Sequence, residues 1–310
     1  MSRSPRLGYA LAATAATLWA VNGALAKFLL DDGISAWHLS EMRAAVSFLL
    51  LAGFLALTRR ADLKVAREDL PRLAFLGVAG LALVHATYFL AIERLDIGVA
   101  LVIQYLGPLL ILVWLAVVHK RRLANGLWAA VALSVLGCAL VVEVYDADAL
   151  DALGLLAAGA AAVTFAINMV ASERAGHRHA PQTTLVYGFG FATLFWLLVR
   201  PPWTFPFGSF DNAANIALAL GVAIVGTLIP FVLIVASVRH IPASRAALIA
   251  TLEPVLGAVI AWPVHDQVLG GPQIVGGMIV VAAVIWVQAH RPEYDVEAAP
   301  LKARPLPADI

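Results

Sequence analysis

The strongest constraint on this chain is that it carries a repeat of itself. Residues 100–123, ALVIQYLGPLLILVWLAVVHKRRL, return 146 positions later as residues 246–269, AALIATLEPVLGAVIAWPVHDQVL. In that ungapped frame Ile103 meets Ile249, Leu106 meets Leu252, Pro108 meets Pro254 and His119 meets His265. Chance matches of Leu, Val and Ala are common in an apolar chain. Paired prolines and histidines in one frame are not. The same shift sets Trp19 on Phe165 and Asn22 on Asn168. A duplicated chain is therefore expected, and it limits both the fold and the function.

The chain is 62% hydrophobic over 310 residues, with a mean hydropathy of +0.87. Soluble domains do not have that composition. Runs of about 20 apolar residues suit helices that cross about 30 Å of hydrocarbon. Ten such runs can be counted, at 7–30, 34–57, 72–92, 97–118, 123–142, 153–173, 183–200, 213–238, 243–264 and 272–290. Helix is the expected form, because lipid cannot satisfy free backbone groups. The first run, after MSRSPR, is too long for a signal-peptide core and is read as a retained span. The single cysteine, Cys138, excludes an internal disulfide.

Lys and Arg set the expected orientation. One side collects 17 of the 21 basic residues, among them Arg59, Arg60, Lys64, Arg67, Arg72, Arg174, Arg178, Arg239 and Arg245. Both termini lie on that side, so both are expected in the cytoplasm. The loop EVYDADALD on the other side is acidic. Each copy of the repeat holds five spans, an odd number, so the second copy must enter the membrane upside down. The expected fold is an all-α integral membrane protein: ten transmembrane helices as two inverted five-helix repeats, residues 1–142 and 153–290. A disordered cytoplasmic tail follows at 291–310. Inverted repeats recur in secondary transporters, with the substrate held near the midplane between the halves.

Polar groups deep in lipid are expensive, and each is a candidate for function. Counting from span midpoints at about 1.5 Å per residue places most of them within roughly 6 Å of the midplane. They are Trp19, Asn22, Arg43, His85, Tyr88, Gln104, Tyr105 and Glu253, with Asn168 as the echo of Asn22. They come from both halves, which suggests one shared cavity for a small substrate. His85 and Tyr88 are three residues apart and share a helix face. An aromatic wall with a few hydrogen-bonding groups suits a small amphipathic solute.

Structural readings stand beside these. Tyr88, Tyr105 and His85 could simply pack between helices, and Asn22 and Asn168 could make helix–helix hydrogen bonds. Glu253 fits a proton-coupling carboxylate, or a partner for Arg43, or a part of the kink at Pro254. Arg43 must be paired with a carboxylate of the protein or of a solute, and Lys27 can snorkel. Gly107, Pro108, Pro230 and Pro254 are candidate hinges, because proline interrupts a helix. Gly126, Gly137, Gly270, Gly271, Gly276 and Gly277 allow close helix contact within a monomer or across a homodimer.

Other chemistries lack support. No Walker A, HExxH or GxSxG pattern is present, and the eight histidines are scattered. No metal, no cofactor and no nucleic acid is expected, and an enzyme is not. Amino acids are the expected small-molecule substrate, with membrane lipids as the surroundings.

The segment LWAVNGALAK, residues 18–27, resembles the first-span pattern of the drug/metabolite transporter superfamily, EamA branch. Arg43 matches that family's second-span arginine. Residues 252–281, LEPVLGAVIAWPVHDQVLGGPQIVGGMIVV, resemble its closing signature. One departure stands out: Arg121 and Gln267 occupy places where the family usually has glutamate. The resemblance covers roughly residues 8–290 and implies export of small metabolites by alternating access in a bacterial inner membrane. His85, Tyr88, Tyr105 and Trp19 together are similar to what a YddG-like aromatic amino-acid exporter would present. Multidrug or nucleotide-sugar carriage is the alternative within the same fold, and a membrane-embedded enzyme the alternative outside it.

Overall fold

The computed structural model describes residues 4–95, 97–120, 125–141, 151–210, 212–265 and 270–289. The tail at 291–310, the acidic loop up to residue 150 and the positions Arg121 and Gln267 lie outside them. Among the described residues the chain is all helical. The first half is α1 (Pro5–Asp31), α2 (Ala36–Thr58), α3 (Leu70–Phe75), α4 (Leu83–Ile92), α5 (Ile97–Gln104), α6 (Gly107–Val117) and α7 (Asn125–Val141). The second half is α8 (Ala152–Gly176), α9 (Pro181–Val199), α10 (Ala213–Ala223), α11 (Ile229–Ser237), α12 (Ala243–Ala250), α13 (Leu252–His265) and α14 (Gly271–Ala289). Six helical segments are long and apolar enough to cross a membrane: Pro5–Leu30, Ala36–Thr58, Arg67–Ile92, Ala152–Gly176, Pro181–Val199 and Ala213–Ser237. Gly107–Val117, Asn125–Leu140 and Gly271–Trp286 are shorter apolar helices.

Local sequence explains the helix ends. The Ser35 hydroxyl, the Asp151 carboxylate and the Asn212 amide oxygen each accept from the N–H three residues on, capping α2, α8 and α10. Pro5 and Pro181 open α1 and α9, where a missing N–H costs nothing. Gly33, at φ +87°, ends α1: its N–H donates to Leu30 O and the Ile34 N–H to Leu29 O. Hydroxyls inside the helices donate to their own backbone one turn back, as Ser40 does to Ala36 O and Thr164 to Ala160 O.

Two irregularities recur at the spacing of the sequence repeat. Between α3 and α4 lies a π-helical segment, Leu76–Ala82, and between α10 and α11 another, Ile224–Leu228. The break between α5 and α6 falls at Tyr105 and Leu106, and that between α12 and α13 at Thr251. Pro108 and Pro230 occupy the first turn of the helix that starts after an irregularity, and Pro254 is the third residue of α13. The expected mid-helix kinks are thus discontinuities that the prolines follow.

Packing recurs in the same way. α1 packs on α10 to α13, and α8 packs on α3 to α6, while α2 meets α9 and α7 meets α14. A Cβ on Gly8 would meet His240 Cβ at 2.8 Å and Ile241 Cγ2 at 2.9 Å. A Cβ on Gly154 would meet Leu95 Cγ at 2.7 Å and Arg94 Cβ at 3.0 Å. Each residue of one trio lies 146 positions from its counterpart. Gly137 is intramolecular, since a Cβ there would strike Val280 Cγ2 at 2.7 Å and Gly276 O at 2.8 Å.

Contacts also join the basic loops at one end. Asp69 takes Arg72 Nη1 at 3.3 Å and Arg178 Nη1 at 3.0 Å, and Arg239 packs on Gly176. Arg94 approaches Asp151 at 3.8 Å, and Arg200 Nη2 reaches His38 Nε2 at 3.0 Å.

Glycine substitutions test this packing. A Cβ on Gly77 would meet Gly188 O at 2.5 Å, and backbone cannot step aside. Gly77→Ala and Gly137→Ala should each cost about 1–3 kcal/mol by overpacking. Gly53→Ala meets nothing within 4 Å and should be neutral or slightly stabilising. Thermal unfolding in detergent would check this; an unchanged midpoint in both packed variants would contradict the contacts.

Candidate functional site

The site is built around Arg43, which sits on α2 and is 3% exposed. A buried guanidinium brings five N–H donors that hydrocarbon cannot satisfy. Arg43 Nε donates to Thr227 Oγ1 at 2.6 Å and Nη2 donates to Gly226 O at 3.2 Å. The guanidinium carbon lies 5.2 Å from the centroid of the Phe89 ring, a cation–π contact. Both hydrogen-bond acceptors belong to the second π segment. A π turn takes its backbone bonds out of the α pattern, which frees a carbonyl for an outside donor. Thr227 also donates its hydroxyl to Val222 O at 2.8 Å, closing that turn from within. Nearby, Ser47 Oγ donates to Ala223 O at 3.2 Å.

The other half repeats this arrangement with a different donor. Asn168 on α8 donates Nδ2 to Gly80 O at 2.9 Å, in the first π segment. Gly80 and Gly226 are 146 residues apart, as are Asn22 and Asn168. Asn22 lies against Gly226 so closely that any Cβ there would collide with its Oδ1. Gly226 leaves no room for a side chain, because the Asn22 side chain fills the space, whereas a Cβ on Gly80 would only press on Leu76 Cδ1 at 3.0 Å and Asn168 Cα at 3.2 Å.

Glu253 does not pair with Arg43. The Tyr105 hydroxyl, on a side chain 1% exposed, donates to Glu253 Oε2 at 2.6 Å. Tyr105 stands at the break after α5, and Glu253 opens α13 after the equivalent break. Arg43, Tyr88 and Glu253 are within electrostatic reach of one another, yet Arg43 forms no ion pair with a described carboxylate. Of the structural roles open to Glu253, that of Arg43's ion-pair partner is therefore replaced by a hydrogen bond with Tyr105.

Aromatic rings line the same region. Trp19 on α1 meets Phe231 edge-on at 5.4 Å, His85 on α4 meets it at 5.3 Å, and Phe189 at 5.9 Å. Tyr88 lies beside Phe89 at 5.4 Å, which links the ring wall to Arg43. Phe165, the echo of Trp19, meets Tyr105 at 6.2 Å.

Seven of the nine expected residues thus converge: Trp19, Asn22, Arg43, His85, Tyr88, Tyr105 and Glu253. Asn168 is committed to Gly80, which is the helix–helix hydrogen bond, and its Oδ1 has no partner. Gln104 is buried, and its Oε1 has no hydrogen-bond partner among the described residues. The Lys27 side chain lies outside the described residues. Gly226, Thr227, Phe89 and Phe231 were not anticipated. Two of them had a signal: Gly226 stands 146 residues after Gly80, and Phe231 the same distance after His85.

Comparison with known proteins gives the fold and the family. A solved crystal structure superposes with a TM-score of 0.72 at 17% identity, covering 90% of this chain and 95% of the other, a likeness of fold. The threonine/homoserine exporter RhtA of Escherichia coli K12 is 26% identical over 257 residues, 81% of each chain. RhtA of Salmonella typhimurium LT2 is equally similar. An uncharacterized transporter of Archaeoglobus fulgidus is 26% identical over 243 residues, 78% of this chain and 85% of that one. The profile of the EamA-like transporter family matches residues 6–143 and again residues 152–288, and the chain belongs to that family.

Proposed function

We propose that this transporter exports amino acids, aromatic and other hydrophobic ones included, by alternating access between two inverted halves. The observation that carries the reading is the separation of Arg43 from Glu253. A buried cation and a part-buried carboxylate face one region, and each is held by neutral partners rather than by the other. Burying charges without pairing them is costly. An amino-acid zwitterion supplies both missing charges: its carboxylate meets Arg43 and its ammonium meets Glu253. The ring wall of Trp19, His85, Phe231 and Tyr88 takes the side chain. The RhtA relatives, exporters of threonine and homoserine by name, support amino acids as the class.

In this reading ten helices cross a bacterial inner membrane and the basic end faces the cytoplasm. The hinges are the paired discontinuities, at Gly107 and Pro108 and at Pro254, together with the π segment before Pro230. Hydrogen-bonded irregular backbone is tolerated at membrane depth where it is buried in protein, and such points let one half rock against the other.

Two variants test the charge assignment. Glu253→Gln keeps an acceptor for Tyr105 and loses the negative charge. Arg43→Lys keeps a positive charge and loses the planar fork. Each should weaken amino-acid transport about ten- to a hundredfold in reconstituted vesicles, the worth of one charge-assisted hydrogen bond. Inhibition by analogues separates the two. Glu253→Gln should lose the wild-type preference for an amino acid over its deaminated acid, and Arg43→Lys, which keeps the charge but not the fork, should weaken that over its decarboxylated amine. Wild-type kinetics in both variants would remove this site.

A further inference from the structure

A second site lies at the basic end, away from Arg43. α3, α6 and α8 bound a groove of about 1040 Å³. Its walls are apolar: Phe75, Leu110, Trp114, Val163, Ile167 and Val170. Phe75 is 55% exposed and Val163 49%, so the groove opens sideways, where a membrane-embedded chain meets hydrocarbon. Its mouth is basic. Arg72, Arg174 and Arg178 all line it, against the single carboxylate of Asp69.

The mouth is organised. Asp69 holds Arg178 at 3.0 Å, Arg72 at 3.3 Å and His179 Nε2 at 3.1 Å, which gathers side chains from two elements to one point. The Arg72 and Arg178 side chains stay 62% and 56% exposed, so their remaining N–H groups face outward. The Arg174 guanidinium carbon lies 5.1 Å from the Trp114 ring centroid. Stacking uses the face of a guanidinium and leaves its in-plane N–H donors for an anion.

The repeat provides an internal control. The positions equivalent to Arg72, Arg174 and Arg178 in the other half are Leu218, Phe28 and Asp32. The fold therefore forms the equivalent helix junction without any of these arginines. The topology rule explains why basic residues favour this end. It does not explain why three converge on one apolar groove.

We propose that this groove binds an anionic phospholipid, with one acyl chain along Leu110, Val163 and Ile167 and the phosphate at Arg72, Arg174 and Arg178. A soluble phosphate would leave the apolar walls uncovered. A lipid fills both parts, and basic pockets between membrane helices on the cytoplasmic side take anionic headgroups. The inference rests on membership of a membrane transporter family and is independent of the substrate.

Native mass spectrometry of the full chain, released from detergent with added phosphatidylglycerol or phosphatidylcholine, tests it. The wild type should retain phosphatidylglycerol preferentially. Arg72→Gln with Arg174→Gln, which leaves Arg178 on Asp69, should reduce that retention by roughly tenfold. Val163→Trp, which fills the apolar part and touches no charge, should reduce it as well. Glycerol 3-phosphate should not displace the lipid from the wild type. Equal retention of both lipids, unchanged retention in the arginine double variant, or displacement by glycerol 3-phosphate would each overturn the proposal.

Discussion

A cation buried in a bundle of apolar helices must find acceptors within the protein. Here Arg43 finds them on the other half of the chain, at Gly226 O and Thr227 Oγ1. Both lie in the segment from Ile224 to Leu228 that leaves the α pattern, and Pro230, four residues after Gly226, has no N–H to claim the Gly226 carbonyl. The Asn168 amide bonds Gly80 O in the equivalent segment of the first half. Each half thus holds the other at its irregular turn. The two holds differ in strength. A hydrogen bond to a charged group contributes about 1.5–3 kcal/mol, whereas polar contacts between membrane helices average nearer 0.6 kcal/mol. The second π segment is therefore gripped more firmly than the first, and the contact that grips it also carries the charge of the proposed site.

This accounts for features that otherwise look unrelated. Glycine is needed at position 226 because the Asn22 side chain from the partner half occupies the space of a side chain, and at position 80 Asn168 packs closely against it. Tyr105 and Glu253 stand at the two equivalent breaks, and their 2.6 Å hydrogen bond joins the breaks across the repeat. The His85 and Phe231 rings are equivalent positions in contact with each other, as residues beside a two-fold relation between the halves would be. Substrate-sized rearrangement in the proposed cycle would act on these shared points first. Packing elsewhere, as between α7 and α14 at Gly137, leaves little room to move.

Much of this was legible in the sequence. The repeat gave the equivalence of Asn22 with Asn168 and of Pro108 with Pro254. Depth along each apolar run singled out Arg43, Tyr105 and Glu253, because ionisable and phenolic groups are scarce in such runs. What was not legible has a physical cause. A π segment has no composition of its own, since Leu76–Ala82 and Ile224–Leu228 read as ordinary apolar helix. Without it, Gly226 and Thr227 offer no sign that they accept from Arg43. Opposite charges suggested an Arg43–Glu253 pair, but sequence does not reveal that Tyr105 reaches the carboxylate. The prolines were read as kinks inside helices, whereas they sit near the starts of helices that follow a discontinuity. The groove at Trp114 was invisible because its walls come from three distant elements.

The central claim is that an amino acid supplies the charges that Arg43 and Glu253 lack. Counterflow in proteoliposomes tests it most directly: vesicles preloaded with unlabelled amino acids, nucleotide sugars or cationic dyes take up a labelled amino acid, with no ion gradient imposed. The account predicts that preloaded amino acids accelerate uptake and that nucleotide sugars and dyes do not. Acceleration by dyes or nucleotide sugars alone, or no exchange with folded protein, would contradict it.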